Sequence, residues 1–211
     1  MKLTKYAHAC VVLEKDGTRI VLDPGAFTPD AAEAVAGAAA VLITHEHFDH
    51  FDEAVVAGAL DADPALRVFG PRAVVDKLGD RDGRVRVLAA GDTVTVGGFA
   101  VAVHGELHAP IHADIPRPDN LGYLVDDALF HPGDAYFVPD APVDTLLLPT
   151  SGPWTKLGEA ADYLRAVKPR QAIEIHELML SDLGRQSTRA ILGGLTGVET
   201  TVLTPGQSLD L

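Results

Sequence analysis

The run from Val41 to Glu53, VLITHEHFDHFDE, places His45, Glu46, His47, Asp49 and His50 directly behind a short apolar segment. Imidazole nitrogens and carboxylate oxygens are the usual protein ligands of zinc, manganese and iron. On extended backbone His45 and His47 stand two apart, so they point the same way and can share one ion. Asp49 and His50 lie one turn further on and can reach a second. The apolar strand supplies rigidity, and its end lets the side chains leave the sheet. A solvated polar loop is the ordinary alternative, but it makes no use of the H-x-H-x-D-H spacing.

With that motif the chain resembles the metallo-β-lactamase-fold superfamily over nearly its whole length. THEHFDH matches the first metal motif of that family, and FHPGD is similar to the later segment whose aspartate bridges two ions, here Asp134. His176 in AIEIH matches the final ligand at a strand end. The family also has a histidine on a loop after a strand, and VAVHGELHAPIHADIP offers His104, His108 and His112. Our choice is His108, with His112 the alternative ligand or else a residue lining a substrate cavity, and His104 read as strand-bound.

The resemblance implies one site of His45, His47 and His108, a second of Asp49, His50 and His176, and Asp134 shared between them. Two divalent ions, zinc foremost with manganese or iron as alternatives, would hold a bridging hydroxide as nucleophile. Asp49 would orient the attacking species and is the catalytic candidate. His131 reads as structural, and His8 as core or as support for the ligands. Asp23 in LDPG resembles the early aspartate that orients the metal loop, though a plain turn aspartate before proline fits equally well.

The compact chain and its AHAC opening look most like the small metal-dependent hydrolases related to ascorbate-6-phosphate lactonase. Hydrolysis of an ester, lactone or phosphoester in a small molecule is the expectation. An iron-dependent, dioxygenase-type oxidoreductase and a non-catalytic metal-binding module are the alternatives. Ser151, Trp154 and Lys156 in PTSGPWTK, together with His112 and Arg117, are candidate substrate contacts; an ordinary turn around Trp154 is the plainer reading.

These residues need a scaffold, and the pattern supplies one. Two hairpins, each followed by an apolar strand, a helix and another strand, suggest an α/β fold built as a four-layer αββα sandwich. The expected organisation is a single domain over residues 1–211, in two pseudo-repeated halves of about 1–118 and 119–211. Apolar residues at 47% fit a soluble globular chain, and a net charge of −13 argues against a nucleic-acid partner. The run Ala34 to Thr44 is too short to span a bilayer, so no membrane partner is expected. A single cysteine, Cys10, and the lack of an export pattern at the start point to the cytoplasm. Self-association through sheet edges stays open.

Overall fold

The computed structural model describes residues 1–105 and 107–211. The chain opens with β1 (Lys2–Lys5), β2 (Val11–Lys15), β3 (Thr18–Leu22), α1 (Ala31–Val35), β4 (Ala40–Leu42) and α2 (Glu53–Ala62). It continues through β5 (Arg67–Gly70), α3 (Arg72–Leu78), β6 (Val85–Val87), β7 (Thr93–Val96) and β8 (Phe99–His104). After a long loop come β9 (Gly122–Val125), β10 (Leu129–His131), β11 (Thr145–Pro149), α4 (Leu157–Val167) and β12 (Gln171–Ile175). The chain closes with α5 (Asp182–Thr196), β13 (Thr200–Thr201) and β14 (Ser208–Asp210).

Two seven-stranded sheets result, ordered β14-β1-β2-β3-β4-β5-β6 and β13-β12-β11-β10-β9-β8-β7. Each has an antiparallel half made of hairpins and a parallel half, β3 to β6 in the first sheet and β10 to β13 in the second, whose connections run through helices except for the loop from β10 to β11. The repeat reading set its divide near residue 118, whereas the chain changes sheet between Val87 and Thr93 and returns for β14.

Alternation along the strands fills three cores. Val11, Leu13, Ile20 and Leu22 face Phe99, Tyr123, Leu147 and Ile173 between the sheets. Val12, Val21 and Val41 turn outward to meet Val56 and Leu60 of α2 and Val74 of α3. On the other outer face Leu146, Leu148 and Ala172 meet Ala161 and Leu164 of α4 and Leu192 of α5. Strands buried on both faces read as unbroken apolar runs, which is why AVLI and TLLL stand out in the sequence.

One difference from the sequence reading concerns the opening hairpin. KYAHACVVLE is not a continuous strand: Tyr6 to Cys10 form a tight loop between β1 and β2, closed by Cys10 N–H donating to the Ala7 carbonyl at 2.9 Å. His8 takes φ of 56° there, a left-handed conformation that a strand cannot hold. Among the described residues no helix is long and apolar enough to cross a membrane.

Candidate metal centre

Chemistry-bearing loops gather along one rim, at the C-terminal ends of β3, β4, β8, β10 and β12, with the β1–β2 loop beside them. Two glycines allow the approach. A Cβ on Gly25 would lie 2.0 Å from the Asp49 carbonyl oxygen, so the DPG turn after β3 packs directly on the motif backbone. At Gly133 φ is 62° and a Cβ would lie 2.2 Å from Asn120 Oδ1, which accounts for the glycine ahead of Asp134.

Asp23 is the buried hub under the motif. Thr44 donates to it from its backbone N–H at 2.8 Å and from its hydroxyl at 2.7 Å, and His50 Nδ1–H donates at 2.7 Å. Asp23 therefore braces the loop with its side chain while its backbone, at φ of 49° and with its carbonyl accepting from Gly25 N–H at 2.9 Å, makes the turn before Pro24. His131 donates to the Ala9 carbonyl and accepts from Gly133 N–H, both at 3.1 Å, so both its nitrogens are spent on the framework.

Three donor groups come together. His45, His47 and His108 form one; His8, Asp49, His50 and His176 form another; His45, His50 and Asp134 link them. His45 Nε2 lies 3.1 Å from His47 Nδ1, while Thr44 Oγ1 sits 3.0 Å from the opposite nitrogen of His45. His108 Nδ1–H donates to the Ala109 carbonyl at 2.6 Å. Such outer hydrogen bonds fix the ring orientation and turn the other nitrogen inward.

Asp134 touches both sides. Its Oδ1 is 3.1 Å from His50 Nε2, and its Oδ2 is 3.0 Å from His176 Nε2 and 3.3 Å from His108 Nε2. The indole of Trp154 donates to the same Oδ2 at 2.9 Å. Asp49 Oδ2 lies 3.1 Å from His8 Nε2 and 3.5 Å from His176 Nε2.

Burial and charge act differently across the centre. Burial, aided by the neighbouring imidazoles, holds His45 well below the ordinary histidine value, and His47 is lowered for the same reason. Burial also works against charge on His50 and His176, but Asp134 outweighs it, with Asp23 helping at His50 and Asp49 at His176. His50 is thereby raised well above its usual value and His176 to about 9. Burial works against ionising Asp49 and Asp134 too, yet the facing imidazoles overcome it and both stay ionised.

A divalent ion fits these groups on structural grounds. His50 Nε2, His176 Nε2 and Asp134 Oδ1 are buried within ion-pair reach of the facing groups, yet none completes a well-aligned hydrogen bond among the described residues. Orphaned polar atoms converging in a dry pocket are costly unless something binds them.

Every residue assigned to the two sites from sequence, His45, His47, Asp49, His50, His108, Asp134 and His176, lies in this cluster. The three histidines offered for the remaining position stand in different surroundings. His108 is buried in the cluster, His104 ends β8 with its ring against Phe130 at 5.8 Å, and His112 is 65% exposed beside Asp114. The expectation that His112 lines the substrate cavity is corrected: its ring faces solvent, and Asp114 N–H donates to its Nδ1 at 3.2 Å. Ser151 is likewise corrected, being buried with its hydroxyl donating to the His176 carbonyl and bracing that turn. Arg117, Trp154 and Lys156 do border a cleft beside the centre, Arg117 with its Nε donating to the His108 carbonyl at 2.5 Å.

Sequence reasoning placed His8 as core or support for the ligands, which its place fits, and missed Lys5. His8 is fully buried, its ring 3.8 Å from that of His176, and the AHAC motif was the available signal. Lys5, also fully buried, donates to the His8 carbonyl at 2.6 Å and to Glu177 Oε1 at 3.1 Å, and the same carbonyl accepts from His176 N–H at 3.1 Å. Nothing in KLTKYAH marks that lysine as buried.

The chain is similar to known proteins. The profile of the beta-lactamase superfamily domain matches residues 2–176, a span that takes in both donor groups. Protein Rv0786c of Mycobacterium tuberculosis is 38% identical over 206 residues, covering 95% of this chain and 94% of that protein. A UPF0173 metal-dependent hydrolase of Pyrobaculum arsenaticum is 26% identical over 231 positions, with 100% of both chains covered. Among solved structures, Igni18, a metallo hydrolase of Ignicoccus hospitalis, superposes with a TM-score of 0.77 at 19% identity, over 100% of this chain and 98% of that one, a likeness of fold alone.

Proposed function

The chain belongs to the beta-lactamase superfamily, and on that premise we propose that it is a metal-dependent hydrolase acting on an ester, lactone or phosphoester bond in a small molecule. The observation that carries the reading is the placing of Asp134 between a three-nitrogen group and a mixed imidazole and carboxylate group. In this reading His45, His47 and His108 hold one divalent ion, Asp49, His50 and His176 hold another, and Asp134 serves both. Zinc is the first choice by donor type, with manganese or iron compatible. Bound together, two such ions supply Lewis acidity and a water acidic enough to attack near neutral pH.

The chain's own groups do the rest. Asp49, partly open to solvent and held ionised, accepts a hydrogen bond from the attacking water and aims it. Because its carboxyl sits far below neutral pH it is a poor store for a proton, so orientation is its role. Trp154 holds Asp134 Oδ2 from outside the donor ring.

A cytoplasmic setting is the companion proposal. Its support is the single cysteine, whose buried thiol is pushed up to about 12 and is inert as a ligand or redox group. The test is elemental analysis of protein purified without chelators, followed by assays on ester, lactone and phosphodiester panels. About two ions per chain and metal-dependent hydrolysis are expected. One iron per chain, with oxygen uptake and no hydrolysis, would overturn the assignment.

A further inference from the structure

A cleft of about 970 Å³ lies beside the metal centre, bordered by Trp154 and by the chain neighbours of two candidate ligands. Trp154 is common to both, since its indole N–H reaches Asp134 while its ring lines the cleft. Ala109 and Ala135, the chain neighbours of His108 and Asp134, complete the shared wall, joined by Ala109 N–H donating to the Asp134 carbonyl at 2.7 Å. Beyond them Tyr136, Phe137 and Ile111 extend an aromatic and aliphatic surface.

Size and chemistry narrow what belongs there. Small-molecule sites run from about 300 to 1,000 Å³, so this cleft is far roomier than a compact lactone or sugar phosphate requires. Phe137 stays 38% exposed, a cost that a covering ligand would remove. The ionic groups at its edge come in both signs, Asp92 and Glu159 against Arg117 and Lys156. Lys156 is engaged by Glu159 at 2.8 Å, so no cluster of cations waits for a phosphate.

We propose that the cleft receives an uncharged aryl group of the substrate, making the preferred substrates aryl-bearing esters or lactones rather than sugar phosphates. This rests on the hydrolase reading above. Hydrolysis adds water across the bond: the acyl carbon keeps the new oxygen, its bond to the leaving oxygen breaks, and the departing alcohol takes the proton.

The chain's one tryptophan, Trp154, reports on occupancy. Metal-loaded protein is titrated with 4-nitroanisole, an uncharged aryl quencher without a hydrolysable bond, and separately with glucose 6-phosphate. Saturable quenching by the arene alone is expected, weakened about five-fold or more in Phe137→Ala and in Ile111→Asp. Absence of arene quenching, indifference to both variants, or saturable quenching by the sugar phosphate overturns the proposal. Ion content is measured on the same samples. Two ions per chain without arene binding removes the cleft assignment alone, whereas arene binding without ions keeps the cleft and removes the hydrolase reading.

Discussion

The two halves of the donor cluster differ in the charge they hold before any ion arrives. His45, His47 and His108 face one another as nitrogens, and burial keeps His45 and His47 neutral at physiological pH. Across Asp134, His50 and His176 are held as imidazolium by the carboxylates of Asp134, Asp23 and Asp49. The neutral nitrogens of His45 and His47 accept a cation directly. An ion-paired site must first release protons, so its occupancy depends on pH in a way the other does not.

The harshest test of that contrast is Asp134→Ala, which removes the shared carboxylate. Activity should fall by roughly 10³-fold or more, well beyond the 10- to 100-fold typical of a supporting residue. Ion content should drop on both sides; loss of only one ion would mean that Asp134 serves a single site. Next in size is Lys5→Met, which strands Glu177 in the interior beside His176. Breaking a buried pair of this kind costs about 3–5 kcal/mol, read as a lowered denaturation midpoint. The ion of the carboxylate side should be lost preferentially, and even loss from both sides would show that the two are not separable.

A pH series sharpens the contrast further. Because His176 is raised from 6.5 to about 9, its pairing with Asp134 fully stabilises the metal-free fold below about pH 6.5 and fades as pH climbs towards 9. An ion competes for the same nitrogen and meets fewer protons over that interval. The melting temperature of metal-free protein should fall between pH 6.5 and 9 while the gain on adding zinc widens. A constant gain would contradict the charge assignment. The smallest effects come from outside the ring: Trp154→Phe should cost about ten-fold in kcat/KM through loss of the bond to Asp134. His112→Ala should change neither ion content nor rate, and a drop in occupancy would reopen the choice of His108.

The donors of the first motif were legible because spacing along one short strand exit carries the geometry locally. Asp134 and His176 needed the resemblance as well, since each stands alone at the end of its own strand. What stayed hidden is what depends on two distant segments meeting. His8 becomes part of the cluster only because a loop at φ of 56° carries it over His176, and Lys5 becomes a brace only because Glu177 arrives from the other sheet. The strands were readable from unbroken apolar runs, whereas the early switch of sheet before β7 is a matter of pairing that local pattern does not encode.

The backbone bond from His176 to the His8 carbonyl also sets a schedule. Synthesis at about 5–20 residues per second puts roughly ten to thirty seconds between the emergence of these two residues. For the last three quarters of that interval the motif at His45 to His50 exists without His176 and can hold an ion only loosely. The metal carried by the finished protein is therefore selected by the closed geometry after translation of β12, not by whichever ion the nascent chain meets first.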